Sequence, residues 1–327
     1  MSNHILSRRQ FTKTALALPL VLPAWAQAQA QRRVPHYASR FGGVHVGAQT
    51  YCYRSLRDTT QPWSAARVDQ LMDKVVDAFV RNQIDLAEFW IALIEPPGGP
   101  GRGPTDPVMR EALRQWRRSR PLDIFERARR KFNDAGIEIY SCMYNFTDDL
   151  SDDELEFPFD VAKPLGTTII SANCTQASIK RTAVAADRHK VWVAAHSENA
   201  SFDRNPDGMA YEKNLVAALK HSPYIKVTLD TGHFTAFGGD AVKFVREHHD
   251  RMANLHLKDR LRRAEDRNDE NTPEWGKGDA PITQVLQLMK NEKYTFAACI
   301  EYEYAGKGTA VEEVQKCLEY AKKALTA

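Results

Sequence analysis

The sequence predicts an α/β protein, a single-domain (β/α)8 barrel. Short apolar or alternating runs recur eight times, and amphipathic stretches of helical period lie between them, a strict alternation that implies a parallel sheet. No internal repeat or linker divides the chain, and no Gly-x-Gly-x-x-Gly follows the first run, which disfavours the doubly wound dinucleotide-binding alternative. With 43% hydrophobic and 27% charged residues, the 327-residue chain has the balance of an ordinary globular protein.

The first element is not part of the barrel. Ser7-Arg8-Arg9-Gln10-Phe11-Thr12-Lys13 precedes an apolar run, Ala15 to Trp25, and small residues that allow cleavage after Ala28 or Ala30. That layout matches a twin-arginine leader, so the twin-arginine export machinery is an expected partner and a periplasmic or exported location is expected. The resulting division is 1–30 leader, 31–43 linker and 44–327 barrel. No other segment has the length of apolar residues that a membrane span requires.

The candidate strands are Val44–Cys52, Ile84–Phe89, Ile137–Met143, Thr167–Ala172, Val191–His196, Ile225–Leu229, Ala253–Leu257 and Phe296–Tyr302. Helical stretches between them include Ala65–Asn82, Leu122–Ala135, Asn214–His221, Asp240–His249 and Ile282–Asn291, with Thr309–Leu325 after the last strand. The long loop from Glu95 to Pro107 is rich in glycine and proline. It reads as a lid or substrate-facing rim, or equally as a solvated insertion, before a helix capped by Asp106 with Pro107 in its first turn. Arg260–Asn271 reads as an exposed charged loop, with Asp279 capping the helix beyond it.

Net charge is +3, but Arg8, Arg9 and Lys13 belong to the leader, and without them basic and acidic residues are equal in number. A neutral body does not support a general electrostatic grip on nucleic acid or anionic lipid. The five cysteines are widely spaced, form no Cys-x-x-Cys pair and read as small buried residues.

Chemistry in a barrel sits where strands end. Four consecutive ends carry ionisable groups: His196-Ser-Glu198 on the fifth strand, Asp230-Thr-Gly-His233 on the sixth, His256-Leu-Lys258-Asp259 on the seventh and Glu301-Tyr-Glu303 on the eighth. Carboxylates buried together need a compensating cation, and mixed oxygen and nitrogen donors from separate strands suit a divalent ion. Asp230, His256, Glu301 and either Glu198 or His196 fill that role, and the other member of that pair faces substrate. Gln49, Tyr51, Glu88, Trp90 and Tyr144, near the ends of early strands, are the candidates for an opposite, sugar-binding wall. Lys277 is placed with them. Lys258 is read as an electrostatic partner of a substrate oxygen, or as the ion-pair partner of Asp259 or another acid.

The strings Leu229-Asp-Thr-Gly-His233, Leu255-His-Leu-Lys-Asp259, Gly276-Lys-Gly-Asp279 and Ile300-Glu-Tyr-Glu303 resemble the xylose-isomerase-like barrel family of sugar isomerases and epimerases. The resemblance implies one divalent ion, commonly Mn²⁺, with Mg²⁺, Co²⁺ or Zn²⁺ as alternatives, held by Glu198, Asp230, His256 and Glu301. His233 corresponds to a substrate-contacting histidine. The fifth strand departs from the usual pattern, because His196-Ser-Glu-Asn199 aligns with either a Glu-Asn-His or a His-Asn-His string. The implied reaction moves a proton at a carbon beside a carbonyl, with Glu198 and Glu301 as acid/base groups and Lys258 or His233 assisting an oxygen. The expected partner is a small free or oxidised sugar or glycoside. A keto-sugar lyase on the same site is the alternative, an endonuclease-like or purely sugar-binding protein is disfavoured, and a homo-oligomer is left open.

Overall fold

The computed structural model describes residues 38–98, 106–198, 206–262 and 272–327. The leader reading, and the linker up to residue 37, lie outside the described residues. Eight parallel strands close on themselves: β2 (Val44–Gln49), β3 (Leu86–Trp90), β4 (Glu138–Phe146), β5 (Ile169–Cys174), β6 (Trp192–His196), β7 (Ile225–Asp230), β8 (Met252–Leu257) and β9 (Ala297–Ile300), with β9 paired back to β2 through Val46↔Ala298 and Gly47↔Cys299. All eight predicted strands are present, and the single-domain barrel is the observed fold. The first is shorter than expected, since Thr50–Leu56, which includes Tyr51 and Cys52, turns into a 3-10 segment. Strand β1 (Arg40–Phe41) pairs antiparallel with β2, so residues 40–43 are a hairpin of the barrel rather than linker. Asp85 holds that hairpin, accepting from Ser39 N and Oγ (3.0 and 2.7 Å) and lying 2.8 Å from His45 Nε2.

Outside the barrel lie α1 (Ala65–Arg81), α2 (Pro107–Arg118), α3 (Leu122–Asp134), α4 (Asp152–Leu165), α5 (Gln176–His189), α6 (Glu212–Ala218), α7 (Thr231–Ala236), α8 (Ala241–His248), α9 (Ile282–Glu292) and α10 (Ala310–Thr326). Most begin where a small polar side chain can accept an otherwise orphaned backbone N–H. Ser64, Asp106 and Asp240 cap in this way, and Ser151, Thr175 and Thr309 form reciprocal capping boxes. Asp279 does not. The residue before α9 is Pro281, and Asp279 Oδ2 instead accepts from Arg262 N at 2.7 Å. Helices α4 and α5 were not among the predicted stretches; α4 carries Pro158 and Pro164, which read as breakers in a sequence.

Side chains alternate across the strands except where β4 and β8 each carry an extra residue. Outward residues such as Val46, Ala48, Phe89 and Val193 pack under the helices. Inward ones stack in layers: an apolar base of Leu86, Tyr140, Ile169, Ala194, Ala253 and Ala297, then polar residues, then the ionisable groups at the strand ends. All five cysteines are buried free thiols.

Helix α2 follows the long loop and is pinned by charge. Arg110, Arg114 and Arg117 share one face, and Arg117, 3% exposed, makes a bidentate pair with the equally buried Glu95 (2.8 Å for each bond) and approaches Glu154 at 3.3 Å. Removing one partner leaves the other charge buried and unpaired. Arg117→Ala is therefore expected to cost about 3–5 kcal/mol in chemical denaturation. The double variant Arg117→Met with Glu95→Leu is expected to recover most of that, and equal losses in the two would refute the electrostatic account.

Candidate metal centre

Four side chains from four adjacent strands meet inside the barrel mouth. One donor atom each from His196, Asp230, His256 and Glu301 falls within a group whose members lie no more than 4.8 Å apart, and all four residues are buried. Register explains the convergence: Asp230 is paired directly with His256, and Leu257 with Ile300, one residue short of Glu301. Tight turns fix the ends. Asp230 caps α7, with Oδ1 accepting from His233 N at 2.6 Å, which directs Oδ2 inward. Thr231 Oγ1 ties β7 to β8 by donating to Lys258 O at 2.8 Å.

The surroundings of the two imidazoles decide which nitrogen each presents. His196 Nδ1 lies 2.6 Å from Asn173 Oδ1, and Asn173 Nδ2 donates to Asn145 Oδ1 at 2.8 Å, so Nδ1 carries the proton and Nε2 faces the group. His256 Nε2 lies 2.6 Å from Glu88 Oε1, so its Nδ1 faces inward, 3.0 Å from Glu301 Oε2. The two inward nitrogens are 2.8 Å apart. With no metal present His256 Nδ1 carries a proton between these acceptors, and a cation bound here would take that proton's place.

Two further observations fit a divalent ion. Asp230 Oδ2 is buried without a hydrogen-bond partner among the described residues; the Lys258 ammonium is 3.2 Å away but outside hydrogen-bond geometry. Burial lowers the affinity of His256 for a proton, yet the carboxylates of Glu88 and Glu301 outweigh it and push its pKa up to about 10. A field that holds a proton so firmly also attracts a metal ion. Two imidazoles and two carboxylates form an ordinary donor set for a first-row divalent metal.

The expected ligand Glu198 is not in this group. Its Oε2 lies 3.4 Å from His196 Nδ1, on the far side of that ring from the group, and its Oε1 lies 3.6 Å from His233 Nε2. Of the two readings of the fifth strand, the geometry takes the one with His196 among the donors, because residues two apart share a face but not a depth.

Lys258, only 1% exposed, sits beside the donors with Nζ 2.6 Å from Glu301 Oε1, 2.9 Å from Glu303 Oε2 and 3.2 Å from Asp230 Oδ2. Those three acids hold its pKa above the usual lysine range despite burial. Asp259 is not its partner. That carboxylate accepts instead from Gly276 N, Gly278 N and Ala280 N (2.8, 2.9 and 3.1 Å), which folds the Trp275–Asp279 turn. A Cβ on Gly278 would stand 2.3 Å from Asp259 Oδ1, so the second glycine of the Gly-Lys-Gly-Asp string is there for close approach. Lys277 points away, 66% exposed and paired with Glu274, and does not line the site.

The early strands divide. Tyr51 reaches the site by donating to Glu303 Oε1 at 2.9 Å, with its ring edge-on to Trp90 at 4.9 Å. Gln49, 1% exposed, donates to Glu88 Oε1 at 2.9 Å from within the barrel. Glu88 is fully buried and faces no substrate. It accepts from Ser141 Oγ, Ser171 Oγ and Asn254 Nδ2 (2.7, 2.6 and 2.8 Å) in addition to His256. Burial alone raises its pKa, but the His256 charge and the hydroxyls hold it at about 2. Tyr144 faces outward, with its hydroxyl on Glu154 O and its ring under the Arg117 guanidinium and against Phe157. The reason is an extra residue in β4: Ala87 pairs with Ile139 but Glu88 pairs with Ser141, so Tyr140 and Ser141 both face inward and the parity beyond them is reversed.

Glu88 thus orients a candidate metal donor, His256, through its second nitrogen. Glu88→Gln is expected to weaken divalent-metal affinity about 10–100-fold, measured by chelator competition, without loss of fold. Unchanged affinity would show that the Nε2 contact is not an orienting one.

The family model described as xylose isomerase-like TIM barrel matches residues 52–323. The chain belongs to that family. No curated protein matches it significantly in sequence. Among solved structures it is similar to a D-allulose 3-epimerase from a Methylomonas species (TM-score 0.57, 14% identity, covering 88% of this chain and 100% of that one). It is similar too to the probable 3-DHS dehydratase involved in petrobactin synthesis from Bacillus anthracis (0.56, 15%, 84% and 98%). A third similar structure is a 3-keto-D-glucoside 4-epimerase from E. coli (0.56, 9%, 86% and 99%). At these identities the likeness is one of fold.

Sequence reasoning missed several residues of the site. Ser141, Ser171, Asn173 and Asn254 orient the candidate donors or the Glu88 carboxylate, while Glu303, already visible as a strand-end acid, takes the unforeseen part of clamping Lys258. Their signal was present, as polar residues at every second position of otherwise apolar strands.

Proposed function

We propose that this protein is a divalent-metal-dependent sugar isomerase or epimerase that moves a proton at a carbon beside a carbonyl. The supporting observation is that Glu198 and Glu301 come from β6 and β9, on either side of a buried donor group completed by the intervening β7 and β8. A metal ion held by His196, Asp230, His256 and Glu301 supplies Lewis-acid polarisation of a sugar carbonyl and an adjacent hydroxyl. Its two imidazoles favour Mn²⁺, Co²⁺ or Zn²⁺ over Mg²⁺.

The chain's own groups do the rest. Glu301 Oε1, held by the Lys258 ammonium, receives the proton from the α carbon, and Glu198 delivers or receives it on the other side. Lys258 keeps Glu301 ionised and in place. His233, whose pKa is pushed down to about 3 by burial and by Lys258, stays neutral and spaces Lys258 from Arg260, with one ring nitrogen 3.0 Å from each. Tyr51 and Trp90 offer aromatic faces to the sugar ring. We place the activity outside the cytoplasm, on the strength of the twin-arginine pattern at Ser7–Lys13.

The test is solvent deuterium incorporation by the Mn²⁺-loaded protein with aldoses, ketoses, keto-glycosides and uronic acids. Exchange at the carbon next to the carbonyl supports the proposal, and product identity separates isomerisation from elimination. A metal-loaded protein that exchanges no proton in any of these would refute it.

A further inference from the structure

At the outer edge of this site the chain buries a second cation that it does not neutralise. Arg260 lies two residues beyond Lys258, at the carboxyl end of β8, and is 3% exposed. Its stem is fixed against Gly232, where a Cβ would stand 2.8 Å from Arg260 Cγ and 3.1 Å from Lys258 Cγ, so both cations are held at one corner of the mouth. Its carbonyl accepts from Asp279 N at 2.9 Å, which anchors the backbone as well.

The head group is treated differently from that of Lys258. Lys258 has three carboxylate oxygens within 3.2 Å. Arg260 makes no ion pair among the described residues. Its Nη1 lies 3.0 Å from His233 Nδ1, and its Nε is buried without a hydrogen-bond partner. A guanidinium and an ammonium only donate, and Lys258 Nζ lies 3.0 Å from the other ring nitrogen, so a neutral His233 accepts from one of the two cations and compensates the charge of neither. Burying an unpaired guanidinium is costly, and folding alone does not reward it. Nε and Nη2 form the edge of the fork that carboxylates engage bidentately.

We propose that Arg260 is a specificity determinant that receives a carboxylate of the substrate, so that the sugar processed here is a sugar acid rather than a neutral sugar. The proposal rests on the reading of the donor group as the reaction site, since Arg260 stands one imidazole's breadth from Lys258, across His233. A carboxylate fits better than a phosphate ester. Only one cation is uncommitted among the described residues of this corner, and a dianion would meet the nearby carboxylates of Glu198, Glu303 and Asp230.

The test titrates D-glucuronate, D-glucose and D-glucose 6-phosphate into the metal-loaded chain by calorimetry, with wild type and Arg260→Gln, while metal content and deuterium exchange are followed on the same samples. Wild type is expected to bind glucuronate at least 10-fold more tightly than glucose, and Arg260→Gln to abolish that margin while leaving the glucose constant within 2-fold. Thermal unfolding of ligand-free Arg260→Met, which keeps the stem and removes the charge, is expected to occur at the wild-type temperature or above it. Equal affinity for acid and neutral sugar, tighter binding of the phosphate, or a lowered unfolding temperature in Arg260→Met overturns the proposal. Loss of metal or exchange in wild type overturns the underlying site reading instead.

Discussion

Asp230→Asn is expected to purify folded but to retain divalent metal more than about 100-fold more weakly than wild type. The substitution is chosen because Asp230 has two roles. Oδ1 caps α7, a task asparagine also performs, whereas the charge of the inward Oδ2 serves the bound cation and the Lys258 ammonium 3.2 Å away, which Glu301 and Glu303 still hold in the variant. Asp230→Ala removes the cap as well, so the two variants separate the structural role from the ligating one. Metal content after dialysis and circular dichroism provide the readouts. Near-stoichiometric metal in Asp230→Asn would mean that the orphaned oxygen has another purpose.

Glu301→Gln is expected to reduce proton exchange by about 10²–10⁴-fold, the usual worth of a positioned acid/base group. Its Oε2 faces His256 Nδ1 and its Oε1 faces Lys258, so an amide loses both attractions at once. Metal affinity falls in this variant too. Exchange must therefore be measured at saturating Mn²⁺, where a ligand role alone recovers and an acid/base role does not. Full recovery at saturating metal would leave Glu198 as the sole proton carrier.

The barrel was legible because eight strand runs recur from Val44 onward with helical stretches between most of them, and because each strand buries both faces. The convergence of Asp230, His256 and Glu301 was legible because an ionisable group at the end of an apolar strand has few other uses. Three things were hidden. The depth of His196 relative to Glu198 depends on where β6 ends within the barrel, which spacing alone leaves open. The orientation of Tyr144 depends on one extra residue in β4, and a single insertion reverses every later side chain of that strand. Glu88 was visible as an unusual strand acid, but its role as the carboxylate behind His256 required Ser141, Ser171 and Asn254 to be seen on three other strands. Lys277 misled for a different reason: its string owes its form to the glycine that packs on Asp259, and the lysine itself is solvated.

X-ray absorption at the edge of the bound metal, compared between wild type and His196→Gln, bears most directly on the claim that β6 to β9 together hold one ion. One ion per chain with two imidazoles in its coordination sphere, falling to one in the variant, is the predicted result. A sphere containing a single imidazole in wild type, unchanged by His196→Gln, would contradict it and return the strand-six ligand to Glu198.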